Sequence, residues 1–432
     1  MAITSLKTPI SSTTSPVSSN RAALSVVTTL FFMWGFVTVL NDVLVPHLKA
    51  IFDLNYTRAS LIQFAFFTAY FIFSIPAARL IDWIGYKKTM VVGVVIMGLG
   101  ALVFIPSASA ASYPLFLAAL MVLAGGITAL QVAANPYVAV LGPPETASSR
   151  LNLAQAFNSV GTAIAPWLGG AIILSGTREN ADVVRQMSGA AHQAYRVHEA
   201  SSVKLPYLVI GLALMALAVA ISMFKLPPLP GAERHGKIVG ESVWKHRQLV
   251  LGAIGIFVYV GAEVSIGSFL INYFGQPEIG SLPEFAAAKY VTYYWGGAMV
   301  GRFIGSAILQ KVKTGTVLAI AAMTACALVC ISMLTTGNVA MWSIIAVGLF
   351  NSIMFPSIFT LGIAELGPLT GDGSGMLVMA IVGGAILPLL QGVLADRIGI
   401  HHAFIIPAIC YIYILYYALW GSRPTPVVVP AQ

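Results

Sequence analysis

Three strongly charged side chains lie well inside otherwise apolar stretches of the sequence: Asp42, Glu263 and Arg302. An ionised group at the centre of a bilayer costs roughly 2.5–3.5 kcal/mol on insertion scales, so such residues normally face a polar cavity or a partner. A carboxyl stripped of water favours its neutral form, so it can take a proton from one side of a membrane and release it when rehydrated from the other. Asp42 is therefore a candidate for proton coupling, with a structural hydrogen-bonded acid as the alternative. Glu263 divides between coupling or ligand contact and a structural pair with Arg302, and Arg302 itself reads as a helix-packing or gate residue. Glu145 and Glu365 close two apolar stretches, where loop ion pairs or gate salt bridges are expected.

Polar amides form the second set. At ~100° per residue, Asn152, Gln155, Ser159 and Thr162 fall within one ~80° stripe of a helix, with Asn158 ~40° beyond its edge. Thr128, Gln131 and Asn135 share a face of the preceding helix. Asn and Gln both donate and accept hydrogen bonds, which suits a polyhydroxylated ligand whose groups do the same. The alternative is interhelical hydrogen bonding, worth about 0.6 kcal/mol per contact in membranes. Tyr290 and Tyr294, spaced i and i+4, lead a group of aromatic residues that could cover the apolar face of such a ligand, or serve as packing and interfacial anchors. No HExxH, P-loop or intramembrane Ser–His pairing is present, and the seven histidines fall in or beside loops, so an enzyme is not expected. Cys326, Cys330 and Cys410 lie in apolar runs and read as buried thiols, neither a disulfide framework nor a metal quartet. No cofactor and no metal are expected.

The elements that carry these residues must be membrane helices. Of 432 residues, 58% are apolar and 9% charged, against roughly 25% charged in soluble proteins. Apolar runs of about 20 residues without alternation exclude a transmembrane β-barrel. Hydropathy predicts twelve spans, near 23–46, 59–81, 89–106, 113–141, 150–175, 205–224, 247–274, 285–310, 314–334, 338–363, 373–395 and 401–420. Residues 1–21 and 422–432 are expected as cytoplasmic tails, the first disordered, and 225–246 as a cytoplasmic linker between six-helix bundles over 22–224 and 247–421. With both termini inside, fourteen Lys and Arg fall on the cytoplasmic side and eight outside, in the sense of the positive-inside rule. The net charge of +8 thus orients the chain in lipid, and nucleic acid is not an expected partner. The halves also repeat: Gly161, Pro166 and Gly170 share their spacing with Gly383, Pro388 and Gly392 at an offset of 222, and Pro136 with Glu145 matches Pro356 with Glu365 at an offset of 220. Duplicated six-helix units are common in secondary transporters, with substrate held between the halves.

The turn Arg79-Leu-Ile-Asp82-Trp-Ile-Gly85-Tyr-Lys87-Lys88 loosely resembles the signature loop of the major facilitator superfamily, with Trp83 where that family usually has Arg. Three segments are sharper: Asn41-Asp42-Val-Leu-Val-Pro46, Ala133-Ala134-Asn135-Pro136-Tyr137, and Arg150-Leu-Asn152-Leu-Ala-Gln155-Ala-Phe-Asn158-Ser-Val-Gly161. Together they resemble the fucose–galactose–glucose proton symporter family over about 25–420. The resemblance implies an all-α major facilitator fold in a bacterial inner membrane, importing a monosaccharide with H⁺ by alternating access, as a functional monomer. It makes Asp42 the span 1 acid and Gln155 and Asn158 the polar pair of span 5; Asn41, Gln131, Asn135, Asn152 and Asn272 join the candidate sugar contacts, and Asp82 the gate. At Gln131 the chain departs from fucose carriers, which have a titrating glutamate there. The segment Tyr259-Val-Gly261-Ala-Glu263-Val-Ser265 to Asn272 looks more like the glucose/galactose or N-acetylglucosamine branch. A multidrug/proton antiporter on the same fold is the rival, with Na⁺-coupled or uncoupled sugar transport as variants.

Overall fold

The computed structural model describes the backbone of residues 17–52, 56–173, 188–201, 203–229 and 242–424. The expected tails up to residue 16 and beyond 424, and most of the linker, lie outside the described residues; residues 17–21, expected as disordered tail, are helical. Everything described is helix or short connection. Helix α1 (Val17–Ile51) runs past Pro46, and α2 (Tyr56–Ser109) is two helical limbs meeting at Gly85. Gly85 has φ 79° and ψ 167°, a conformation open to glycine and strained for residues with a Cβ. The turn expected there is a one-residue break, so the spans at 59–81 and 89–106 are the two limbs of α2.

A tight turn then leads into α3 (Tyr113–Val140), which has Pro114 in its first turn and packs along α2. Helix α4 (Ala147–Ile173) packs on α1; α5 (Gly189–Ser201) and α6 (Lys204–Met223) follow. The second half holds α7 (Arg247–Phe274), α8 (Glu284–Ile308), α9 (Thr314–Leu334), α10 (Gly337–Asn351), α11 (Met354–Gly362), α12 (Thr370–Met379), α13 (Gly383–Ile398), α14 (Ile400–Ala403) and α15 (Ile405–Tyr416). The span expected at 338–363 is thus broken between α10 and α11, and the one at 373–395 between α12 and α13.

Among the described residues, nine stretches are long and apolar enough to cross a membrane. They present large apolar side chains outward, such as Leu205, Val209, Leu212 and Val219 on α6, a surface that lipid covers and water would not. Helices α4 and α8 are not among the nine. Arg150, Asn152, Gln155 and Asn158 lower the hydropathy of α4; Lys289, Arg302 and three tyrosines do so for α8.

The internal repeat has a geometric counterpart. A Cβ at Gly161 would collide with the Phe32 carbonyl oxygen of α1, and one at Gly383 with the Phe257 carbonyl oxygen of α7. Each half therefore sets two backbones in direct contact through a glycine, as small residues permit in membrane helices.

The two halves meet along α4 and α8, and where α12 lies against α2 and α3. Hydroxyl groups make most of the bonds across this seam. Ser149 Oγ donates to Ser306 O at 2.7 Å, Ser374 Oγ to Val132 O at 2.7 Å, and Thr314 Oγ1 to Ser148 Oγ at 2.8 Å, with Ser148 Oγ and Thr360 Oγ1 2.5 Å apart. These groups lie towards the end of the molecule that bears Arg79, Lys87, Lys88, Lys311 and Lys313, here called the basic end.

Candidate functional site

The polar stripe of α4 faces α8. Asn152 Nδ2 donates to Arg302 O at 2.7 Å, while Asn152 Oδ1 is buried without a hydrogen-bond partner. Arg302 returns the contact: its Nη1 donates to Ser159 Oγ and, at 3.4 Å, to Gln155 O, and its Nε to Ser352 O at 3.4 Å. The guanidinium of one half is therefore held by a hydroxyl and a carbonyl of the other. Gln155 is buried, yet its side-chain amide makes no hydrogen bond to another described residue. Asn158 is different: its Nδ2 donates to Phe31 O at 2.8 Å, tying α4 to α1.

On α3 the expected face divides three ways. Thr128 Oγ1 donates back to Ala124 O at 2.8 Å, within its own helix. Gln131 Nε2 donates to the Tyr70 hydroxyl of α2 at 2.8 Å. Asn135 is fully buried, and both its polar atoms lack a partner. An unpaired buried amide forfeits about 1–3 kcal/mol of solvation, so it marks a place where a ligand, water or second conformation supplies the bonds.

The second half carries its own polar cluster. Asn351 Nδ2 donates to the Tyr294 hydroxyl at 2.8 Å, and the Tyr411 hydroxyl donates to Asn351 Oδ1 at 2.7 Å. The Tyr294 hydroxyl in turn donates to the backbone oxygen of Glu263 at 3.5 Å. Glu263 Oε1 is buried with no hydrogen bond. Tyr259, one turn earlier on α7, and Arg302 are the groups that act on this carboxyl electrostatically. Tyr294 thus belongs to a buried network, whereas Tyr290 packs edge-on against Phe274, Tyr293 and Trp342 at 5.9–6.0 Å between ring centres. Asn272 is exposed at the end of α7.

Of the remaining expected residues, Asn41 and Asp42 stand on α1, but their side chains lie outside the described residues. Glu145 and Glu365 are exposed, the latter in a turn with φ 60°, and neither makes a hydrogen bond across the seam. Asp82 is half-buried beside exposed Trp83. The Arg150 guanidinium caps the end of α3, on Val138 O at 3.2 Å and Ala139 O at 2.5 Å, and on Pro143 O at 2.9 Å and Thr146 Oγ1 at 2.6 Å, all within its own half. The structure therefore brings Asn152, Gln155, Ser159 and Arg302 together at the seam, with Glu263 behind them. Sequence reasoning passed over Asn351 and Tyr411 and gave Tyr259 no role of its own, whereas Tyr70 belongs to the aromatic group it singled out. An amide in the apolar run before Ser352 was a readable signal for Asn351; the tyrosines had none beyond their hydroxyls.

With this geometry in place, the likeness to known proteins is broad. The Major Facilitator Superfamily model matches residues 24–381. The chain is 53% identical over 416 residues to the glucose/galactose transporter of Brucella abortus biovar 1 (strain 9-941), covering 96% of this chain and 98% of that relative. It is 36% identical over 402 residues to the L-fucose-proton symporter of Escherichia coli K12, covering 91% of this chain and 92% of that one. A crystal structure of FucP, a Major Facilitator Superfamily transporter in the outward conformation, superposes with a TM-score of 0.87 at 36% identity, over 94% of this chain and 100% of that chain.

Proposed function

Because this chain belongs to the Major Facilitator Superfamily, we propose that it is a proton-coupled importer of a monosaccharide of the glucose/galactose class. It is a transporter of the multi-pass membrane type and not an enzyme. The observation that carries the substrate class is the 53% identity, over nearly the whole length of both chains, to a glucose/galactose transporter. Proton coupling rests on the L-fucose-proton symporter relative and on the acids Asp42 and Glu263. The twelve spans follow if α2 counts as two, α10 with α11, α12 with α13 and α14 with α15 each as one, and α4 and α8 cross despite their polar stripes. The glycine contacts at Gly161 and Gly383 support reading these as two six-helix repeats. Both termini and the basic end then face the cytoplasm of a bacterial inner membrane, and one chain suffices for transport.

The sugar lies between the halves, on the far side of the bonded seam. Gln155 and Asn135 offer unengaged amides to its hydroxyls, with Gln131, Asn152, Asn158 and Asn41 beside them. The bonds across the seam at the basic end support an outward-facing reading, the conformation named for its structural neighbour. Asp82, Glu145, Arg302 and Glu365 are assigned to the gate at that end.

Uptake into proteoliposomes from a panel of glucose, galactose, fucose and N-acetylglucosamine, with and without an inward proton gradient, tests this reading. Glucose or galactose should accumulate only with the gradient. Equal uptake after the gradient is collapsed would refute coupling, and preferential uptake of fucose would refute the substrate class. Efflux of lipophilic dyes without sugar uptake would instead favour the antiporter.

A further inference from the structure

We infer that Pro136 and Pro356 are positioning residues for alternating access: each frees one backbone oxygen within its own half, and bonds that close the seam are built on that oxygen. The inference rests on the alternating-access reading above and adds to it two residues that bear no polar side chain.

The two prolines are related by the internal repeat, at an offset of 220, and so are the oxygens they free. In an α-helix the C=O of residue i accepts from the N–H of residue i+4, and proline has no N–H. Pro136 therefore leaves Val132 O without its helical donor, and Pro356 does the same to Ser352 O. Val132 is 0% exposed and Ser352 1%, so solvent does not make good the loss. Within a membrane such a group has to be bonded by the protein itself.

Both replacement donors lead across the seam. Val132 O accepts from Ser374 Oγ of α12 at 2.7 Å, a bond from the opposite half. Ser352 O accepts from Arg302 Nε of α8 at 3.4 Å, and the same guanidinium donates through Nη1 to Ser159 Oγ and, at 3.4 Å, to Gln155 O of the opposite half. Ser374 has a repeat mate of its own. At the offset of 222 that relates Gly161 to Gly383 it corresponds to Asn152, whose Nδ2 donates to Arg302 O at 2.7 Å. On one side the opposite half bonds the freed oxygen directly, and on the other it bonds the arginine that does. A proline needed only for its bend would be served by any neighbouring helix of its own bundle.

The result is a bond that one conformation has and the other lacks. With an N–H at position 136, Val132 O would be satisfied in every state, and the Ser374 hydroxyl would compete for an oxygen already engaged. With proline there, Ser374 satisfies the oxygen while the seam is closed, and water does so once the basic end opens. Pro136 thus strengthens the Ser374 contact without itself crossing the seam, and Pro356 fixes the pose from which Arg302 reaches α4.

The test is a double-mutant cycle on the full chain in liposomes, read as the distance between spin labels at exposed Glu145 and Lys311 after Cys326, Cys330 and Cys410 are replaced. Pro136→Ala and Pro136→Gly both restore the N–H, one favouring helix and the other disfavouring it. Each should multiply the ratio of open to closed molecules by about 3 or more, the effect of one interhelical bond, as Ser374→Ala alone should. Added to either proline variant, Ser374→Ala should then raise the ratio by less than about 1.5-fold further. Effects that multiply to about 9-fold or more would overturn the inference, because the hydroxyl would then act independently of the missing N–H. Opposite shifts in the Ala and Gly variants would also overturn it, by making the bend the operative feature. Should the Pro136 variants fail to fold, Pro356→Ala combined with Ser159→Ala tests the second oxygen: Ser159→Ala should lose most of its effect in that background, and an undiminished effect would overturn the inference. Distance populations that glucose leaves unchanged in the chain with native prolines would overturn the alternating-access reading itself, and this inference with it.

Discussion

Removing the hydroxyls of Ser149 and Ser374 should open the basic end. Each donates a 2.7 Å bond to a backbone oxygen of the opposite half, Ser306 O and Val132 O, and each is buried. Neither carbonyl has an intrahelical donor, since the residue four on from Val132 is Pro136, which lacks an N–H, and Ser306 lies in the last turn of α8, where Gln310 N–H bonds Ala307 O, so each alanine variant also strands an acceptor. At about 0.6 kcal/mol per interhelical bond in a membrane, and with the stranded acceptors adding to it, the pair contributes at least about 1.2 kcal/mol to the closed seam. That energy multiplies the ratio of open to closed molecules by about 8 or more, from the Boltzmann factor at 25 °C. Spin labels at exposed Glu145 and Lys311, one in each half, report the separation of the two halves. The labels require a background in which Cys326, Cys330 and Cys410 are replaced. In Ser149→Ala/Ser374→Ala, the long-distance population should rise at least about 8-fold relative to the short one. A change of less than about 2-fold, or a rise in the short-distance population, would mean that apolar packing and not hydroxyl bonding holds the seam.

Three further outcomes are expected. Asp42→Asn should abolish glucose accumulation against a gradient, measured as the steady-state ratio of internal to external sugar. Gln155→Ala should weaken glucose binding about 10-fold by calorimetry, equivalent to about 1.4 kcal/mol, without lowering the unfolding temperature, whereas Asn158→Ala should lower both because it also loses the bond to Phe31 O. Gly383→Ala sets a methyl group against the Phe257 carbonyl, an overpacking cost of about 1–3 kcal/mol, so the unfolding temperature in detergent should drop by several degrees, and Gly161→Ala should match it.

Much of the fold was legible because lipid makes hydropathy a direct readout of which segments are helices. The predicted spans fall on described helices within a few residues. What periodicity missed is instructive. The Gly85 break is a single left-handed residue rather than a loop, and nothing in the surrounding residue types distinguishes the two. The break at Ser352–Ile353 follows Asn351 and stands four residues before Pro356, which has no N–H for Ser352 O, so the sequence carried a signal there; the one at Ala380–Val382 interrupts a run that remains apolar throughout, and only tertiary packing decides it. The stripe on α4 was readable as a face, but not the sorting within it: Asn152 bonds α8, Asn158 bonds α1, and Gln155 bonds neither through its side chain. An amide in a sequence has the same donors and acceptors in all three cases, and only its azimuth against neighbouring backbones separates packing from availability.

Of the helices longer than 20 residues, α4 and α8 have the composition least suited to lipid, and they meet each other across the seam. A helix that always faced hydrocarbon would exclude Arg302 and Asn152, and one buried in a permanent core would pair them fully. These helices do neither: Asn152 Oδ1 and Glu263 Oε1 are unpaired, while Asn152 Nδ2 and Arg302 are bonded to the opposite half. Incomplete satisfaction is costly in a static interior, but in an interface that must separate it narrows the energy gap between the joined and parted states. A seam sealed by leucines would gain stability and lose the ability to open. Replacing Asn152 by Leu should accordingly raise the unfolding temperature or leave it unchanged while slowing glucose exchange at least 10-fold; faster exchange in that variant would show that the polar seam is a brake rather than a hinge.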